Sequence, residues 1–126
     1  MSSLYEEVGG SVVFRQLVDA FYAGVEDDPV LRPLYPQGDL APARERLRQF
    51  LEQYWGGPTT YSETRGHPRL RRRHAQWQIG ERERDAWLGH MRSAIDSLDV
   101  TDEHRAAIRG HVEHAAFTLV NHHPLP

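Results

Sequence analysis

The sequence predicts an all-α protein, and its periodicity, its lack of strand pattern and its turn residues all indicate this class. Apolar residues recur every three or four positions along most of the chain, as on the buried face of an amphipathic helix. The alternation of apolar and polar residues that is typical of a half-buried strand is absent from the sequence. Gly and Pro residues divide the chain into about six helical segments, and the length predicts one domain over residues 1–126.

The composition excludes several classes of protein. With 39 % hydrophobic and 26 % charged residues the chain is typical of a globular protein, and its net charge of -3 does not favour a polyanion-binding one. The absence of cysteine excludes disulfides, iron–sulfur clusters and thiolate ligands. No apolar run approaches the roughly 18 residues of a membrane span. The start MSSLYEEVGG lacks a signal-peptide pattern, so we expect a cytoplasmic protein.

A capping pattern and an apolar stripe predict the first two helices. Ser3 followed by Glu6 is typical of a capping box, and Gly9-Gly10 ends the short helix that it opens. Asp27-Asp28-Pro29 ends the second helix, and a short helical piece over 30–34 and a turn over 35–38 follow. The apolar stripe of the second helix consists of Val13, Phe14, Leu17, Val18, Phe21, Tyr22 and Val25.

The third helix is predicted to begin near Asp39, a plausible N-cap, with Pro42 in its first turn. Gly56-Gly57-Pro58 ends it. Residues 58–72 show no sustained period and predict a long irregular loop, a feature that is usually functional in a compact domain. The apolar face of the third helix consists of Ala43, Leu47, Phe50, Leu51 and Tyr54.

Helical periodicity resumes before or around His74. Gly80 precedes a further helix, and Thr101 is the predicted cap of the last one. The two apolar faces are formed by Trp87, Leu88, Met91, Ala94, Ile95 and Leu98, and by Ile108, Val112, Ala115 and Leu119.

The stretch RGHPRLRRRH, residues 65–74, carries five arginines together with His67 and His74. Three interpretations compete: a solvated surface loop, a nucleic-acid contact through phosphates, and a site for a carboxylate-bearing ligand, which suits the arginine fork. The negative net charge and the lack of interleaved aromatic residues weigh against nucleic acid.

Tyr22, Tyr35 and Trp87 each bring a hydrogen-bond donor that needs a partner wherever it is buried. The ordinary interpretation is that each is a core residue whose polar tip is satisfied. They define a site only if they converge. The histidine pair His111 and His114 has the spacing of a helical metal site, but no partner ligand accompanies it, so we expect surface histidines there.

The block LRQFLEQYWGGPTTYSETRGHPRLRRRH, residues 47–74, closely resembles the truncated haemoglobins of group II, the O type. Further segments match in the same order: LYEEVGG, the FY at 21–22, DDPVLRPLYP at 28–36 and ERDAWL at 83–88. The resemblance extends from about residue 4 to residue 121. It implies a two-over-two helical sandwich, a truncated globin fold that binds b-type haem.

The resemblance assigns His74 as the proximal ligand of the haem iron. A neutral imidazole binds the metal through one nitrogen, while the other donates to a carbonyl that fixes the ring. Arg71 and Arg73 match residues that contact the haem propionates, with Tyr61 and His67 as weaker candidates. Gln76-Trp77 and Arg72 depart from the family's pattern around this histidine. At the haem edge, Phe50 and Leu51 are expected to pack.

On the opposite side of the haem, the resemblance assigns Tyr22, Tyr35 and Trp87 as polar distal residues. Prearranged donors in a dry pocket stabilise negative charge on a bound gas, so slow release of oxygen is expected. Ala43, where many globins carry a larger residue, is expected to leave a side entrance open. Leu47, one turn later, is expected to cover the distal cavity.

The resemblance implies reversible binding of oxygen, nitric oxide or carbon monoxide. A nitric oxide dioxygenase or a peroxidase-type enzyme is the alternative, and the many distal donors favour redox chemistry or sensing over oxygen transport. A reductase and a second copy in a homodimer are the expected protein partners. The rival outside this class is a cofactor-free helical module whose loop 65–73 binds nucleic acid.

Overall fold

The computed structural model describes residues 3–35, 38–65 and 80–119. These residues form helices and no strand, which confirms the predicted all-α class. None of the described helices is long and apolar enough to cross a membrane. In chain order the elements are α1 (Leu4–Val8), α2 (Ser11–Glu26), a 3-10 turn (Arg32–Leu34), α3 (Ala41–Tyr54), α4 (Thr60–Arg65), α5 (Glu81–Asp96) and α6 (Asp102–Leu119).

The ends of the outer helices follow the predicted capping chemistry. The Ser3 hydroxyl accepts a hydrogen bond from the Glu6 amide at 3.2 Å, and Gly9 ends α1 with φ 114°, a left-handed conformation that glycine adopts without strain. Thr101 caps α6 by accepting from the His104 amide at 3.1 Å. Both predicted caps are therefore confirmed.

The predicted cap of α3 is displaced by one residue. Leu40, not Asp39, is the N-cap residue of the helix, and it contributes no side-chain cap. Asp39 still contributes, because its carboxylate accepts from the Ala41 amide at 2.9 Å. The fixed φ of Pro42 suits the first turn of the helix. The helix begins at Ala41, whose free amide is satisfied by the Asp39 carboxylate two residues earlier.

The centre of the fold is α2. It packs against α3 and α5, and α5 packs against α6, so that α2 and α3 lie over α5 and α6. The apolar stripe that predicted α2 is the face it buries: Phe14, Leu17, Val18, Phe21, Tyr22 and Val25. The facing helices contribute Leu51, Leu88, Met91, Ala94, Ile95, Ile108 and Val112, and this core supports the candidate site described below.

The prediction of an irregular loop over 58–72 is wrong for the first part of this range, because α4 occupies 60–65. Two hydrogen bonds stabilise this short helix. The Thr59 carbonyl accepts from the Glu63 amide at 3.0 Å, and the Gln53 side-chain oxygen accepts from the Ser62 amide at 2.9 Å. A helix of six residues is too short to show a period, so the apolar pattern missed it. The remainder, 66–72, lies outside the described residues.

Two residues of the α3–α6 contact differ from their predicted positions. Tyr54, placed on the apolar face of α3, is 57 % exposed. His111, expected at the surface, is half-buried, and its ring stacks on Tyr54 with centroids 3.5 Å apart. The rings of Phe50 and Trp55 also approach it. The imidazole of His111 is apolar enough to fill this contact when it is neutral.

We expect this burial to make stability pH-dependent. Burial, with a smaller contribution from His114, lowers the pKa of His111 from 6.5 to about 4. As the pH falls, this imidazole is therefore protonated in the unfolded chain before it is protonated in the folded one. The free energy of unfolding then decreases between pH 6.5 and pH 4, by at most about 1.4 kcal/mol per pH unit. Urea unfolding of the wild type and of His111→Phe across this range measures the difference. Equal losses in both proteins would contradict the prediction.

Candidate functional site

Tyr22 and Tyr35 meet at one side of the core. Tyr22 lies in the middle of α2 and is 3 % exposed, and Tyr35 follows the 3-10 turn and is partly exposed. Their rings form an edge-to-face pair with centroids 5.6 Å apart and an interplanar angle of 80°. The effect of each phenol on the pKa of the other indicates a hydrogen bond between their hydroxyls. The turn after α2 therefore brings two phenols that are distant in sequence into one polar pair.

Both tyrosines remain protonated at neutral pH. Burial raises the pKa of Tyr22, and the neighbouring Tyr35 raises it further. Burial also raises the pKa of Tyr35. Two hydroxyls carry two protons, and their mutual hydrogen bond uses one of them. The only other described acceptor is the Ala43 carbonyl, 3.5 Å from the Tyr22 hydroxyl, which is at the limit of a hydrogen bond. The pair thus retains a donor for a third group.

Trp87 extends this arrangement from α5. Its ring lies edge-to-face against Phe21 with centroids 5.4 Å apart, and Phe21 in turn contacts Tyr22 at 4.9 Å. The aromatic residues Tyr35, Tyr22, Phe21 and Trp87 therefore form one continuous series of ring contacts. Within the described part of the chain, the indole N–H of Trp87 donates to no side chain or carbonyl, so it is a second free donor near the tyrosine pair.

Phe21 is a site residue that the sequence did not single out. It is fully buried and spaces Trp87 from Tyr22. Its sequence signals were its place on the apolar stripe and in the matching FY segment, and neither says which neighbours the residue separates.

The α3 helix contributes the small and apolar residues of the site. Ala43 is 7 % exposed and lies beside Tyr22, and Leu47, one helical turn later, packs partly buried against the core. The methyl side chain of Ala43 leaves more space at this position than the larger residues that many globins carry. The side entrance expected beside Ala43 and the distal cover expected from Leu47 remain predictions.

Further along α3, Phe50 and Tyr61 form an edge-to-face pair with centroids 5.6 Å apart. Tyr61, on α4, is buried, and so is Leu51. The structure thus brings three of the residues predicted to contact a cofactor to the same end of α3. This end of α3 is therefore apolar and aromatic in character.

Two arginines near the tyrosines were also missed. The positive charge of Arg46 lowers the pKa of both Tyr22 and Tyr35, opposing the effect of burial, and Arg44 acts in the same direction on Tyr22. Arg46 follows Ala43 by three positions, which places both on one helix face. That spacing was the signal available in the sequence. A half-buried cation here is suited to an anionic ligand group.

Four predicted site residues lie outside the described residues: His67, Arg71, Arg73 and His74. Their assigned contacts remain predictions from the sequence.

Comparison with known proteins identifies the family. Residues 3–121 match the pattern of the bacterial-like globins, and the chain belongs to this family. It is 41 % identical over 117 residues to the group 2 truncated haemoglobin YjbI of Bacillus subtilis, covering 93 % of this chain and 87 % of that protein. The resemblance to group II truncated haemoglobins is therefore confirmed.

Solved structures agree. The group II 2-on-2 haemoglobin of Agrobacterium tumefaciens has 37 % identity and a TM-score of 0.89, with 96 % of this chain and 95 % of that chain covered. The truncated oxygen-avid haemoglobin of Bacillus subtilis has 40 % identity and a TM-score of 0.89, with 95 % and 100 % covered. These matches confirm the two-over-two fold.

Proposed function

We propose that this chain binds b-type haem through His74 and holds a diatomic gas, oxygen first among them, between the haem and the donors Tyr22, Tyr35 and Trp87. The observation that carries the proposal is the convergence of these donors, with one indole N–H and one phenol proton left without a firm partner. Tyr35 and Trp87 are partly buried against the core, and donors held there without a protein acceptor are available to a ligand. Membership of a globin family supports haem and a gas as the missing groups.

The described residues fit a haem. Phe50, Leu51 and Tyr61 provide an apolar and aromatic surface, and Arg46 provides a cation for a propionate beside those predicted at Arg71 and Arg73. His67 and Tyr61 are the weaker propionate candidates. The small side chain of Ala43 supports an open side entrance.

When bound, haem supplies an open coordination position for the gas. The protein supplies the surroundings: Trp87 only donates, whereas each tyrosine hydroxyl donates or accepts, so the pair relays a hydrogen bond from one phenol to the other. Donors fixed by packing stabilise negative charge on the gas without reorganising. Leu47 and Phe21 exclude water, which strengthens those hydrogen bonds. The result expected from this geometry is slow release of oxygen.

A redox enzyme is the second candidate, because the same donors favour chemistry on a retained gas over its delivery. Nitric oxide dioxygenation and peroxidase-type oxidation both fit this site, and both need a reductase or a peroxide from outside. The similarity to an oxygen-avid relative supports retention but does not distinguish a carrier from an enzyme.

The proposal is tested by supplying haem to the purified protein. We expect a Soret band of histidine-ligated haem, slow oxygen dissociation in stopped-flow, and consumption of nitric oxide when a reductant is supplied. Fast oxygen release without turnover would reject the enzyme. Absence of a Soret band together with salt-dependent binding of DNA or RNA would reject haem binding in favour of the nucleic-acid module.

A further inference from the structure

A short hydrogen bond joins α5 to the end of α2. The imidazole Nε2 of His90 and the carboxylate Oδ2 of Asp28 lie 2.6 Å apart, and both side chains are partly buried. Among the described residues, no hydrogen bond or ring contact joins His90 or Asp28 to the tyrosine pair or to Trp87, so any influence on them acts through the elements that the pair connects.

Asp28 shapes the segment that ends at Tyr35. Its second oxygen, Oδ1, accepts from the amides of Val30 at 2.7 Å and Leu31 at 3.2 Å. Its backbone carbonyl accepts from the Arg32 amide at 2.9 Å, and the Arg32 carbonyl accepts from the Tyr35 amide at 3.1 Å. Two successive backbone hydrogen bonds therefore connect Asp28 to Tyr35.

His90 lies on the helix that carries Trp87, three residues further on, so both side chains lie on neighbouring positions of one helix surface. Its ring rests on the α2 backbone at Gly24, where a Cβ would come within 2.3 Å of the imidazole Nδ1. Gly24 follows Tyr22 by two residues. The absence of a side chain at Gly24 thus lets His90 bring α5 close to the part of α2 that carries the tyrosine.

We propose that His90 and Asp28 are positioning residues: their hydrogen bond holds Trp87 and Tyr35 at the separation at which both donate to one gas molecule. The inference rests on the proposed function. The hydrogen bond from His90 also lowers the pKa of Asp28, so the carboxylate stays charged and remains an acceptor on both oxygens. If the pair only stabilised the fold, its loss would lower stability without changing the positions of Trp87 and Tyr35.

The chain offers a matched control for that distinction. The Nε2 atom of His104 lies 3.0 Å from the Glu7 carboxylate and joins α6 to α1, elements that carry none of the three donors. Asp28→Asn keeps an acceptor for Val30 and Leu31 but removes the negative charge opposite His90, which weakens the hydrogen bond between them, and Glu7→Gln makes the same chemical change in the control pair.

Carbon monoxide is the probe, because its stretching band reports hydrogen bonding to the bound gas. In Asp28→Asn we expect this band to broaden and to shift in the direction that indicates weaker hydrogen bonding. We also expect oxygen to dissociate roughly three- to tenfold faster, which corresponds to a change of about 1 kcal/mol in the activation free energy of dissociation. Glu7→Gln is expected to leave both unchanged. If Asp28→Asn does not fold, His90→Ala is compared with His104→Ala.

A readout without haem separates the two proposals. The indole N–H resonance of Trp87, assigned with Trp87→Phe, is expected to shift in Asp28→Asn and not in Glu7→Gln, with or without haem. Unchanged band, rate and resonance in Asp28→Asn would overturn the positioning role while leaving the function intact. A wild type that binds no haem would overturn the proposed function, and with it the positioning role toward a gas, even if the resonance shifts.

Discussion

Replacing His74 with alanine is expected to abolish the histidine-ligated haem spectrum of this protein. His74 is the only protein ligand that the resemblance assigns to the iron, and iron in a cysteine-free chain has no thiolate to replace it. Loss of a residue that merely orients a ligand lowers metal affinity roughly 10- to 100-fold, so loss of the ligand itself should have at least this effect. Haem titration followed by the Soret band measures the change.

Two controls make this result specific to ligation. His67→Ala removes the other histidine of the 65–74 stretch and is expected to keep the spectrum, with at most weaker haem affinity. Free imidazole added to His74→Ala is expected to restore a histidine-like spectrum by occupying the vacated volume. A normal five-coordinate spectrum in His74→Ala without imidazole would show that another residue binds the iron, and the assignment of His74 would then be wrong.

The helices that could be predicted from sequence are those with long amphipathic faces. The stripes of α2 and α5 span several turns, and most of the residues that each pattern indicated are buried, while Val13 and Trp87 are partly buried. The short α4 could not be found in this way, because its polar contacts to Gln53 depend on a neighbour that periodicity does not reveal. His111 shows the same limit, since its burial depends on Tyr54 from another helix.

The candidate site shows a different limit. Tyr22, Tyr35 and Trp87 were visible as large residues with polar tips, but only the resemblance gave them a common role. Their ring contacts depend on the turn after α2 and on the packing of α5 against α2, both of which are tertiary features. Residues that position others, such as His90, carry no sequence signal, because their spacing from Asp28 becomes meaningful only in the fold.

Trp87→Phe is expected to speed oxygen dissociation roughly 10- to 100-fold, because a hydrogen bond to a charged group contributes about 1.5–3 kcal/mol. The indole N–H has no acceptor among the described residues, so its whole donor strength is available to a gas. Phenylalanine keeps an aromatic ring against Phe21 and removes only the donor and part of the volume. Stopped-flow displacement of oxygen by carbon monoxide gives the rate.

Trp55→Phe is the control, because it removes another indole N–H that has no partner among the described residues, one that is buried at the end of α3 beside Tyr54 and His111. Its oxygen dissociation rate is expected to match the wild type. Equal acceleration in both variants would indicate a general loosening of the fold, and Trp87 would not be a donor to the gas.

The tyrosines are expected to behave differently from Trp87 because they share a hydrogen bond. Removing the Tyr22 hydroxyl leaves Tyr35 with its proton but without its partner, so Tyr35 keeps a donor whose direction is no longer fixed. The double variant Tyr22→Phe/Tyr35→Phe should then change the activation free energy of oxygen dissociation by less than the sum of the two single variants. The effects of Tyr22→Phe and Trp87→Phe, in contrast, should be closer to additive. Strict additivity of the two tyrosine variants would mean that the hydroxyls act independently, contrary to a shared relay.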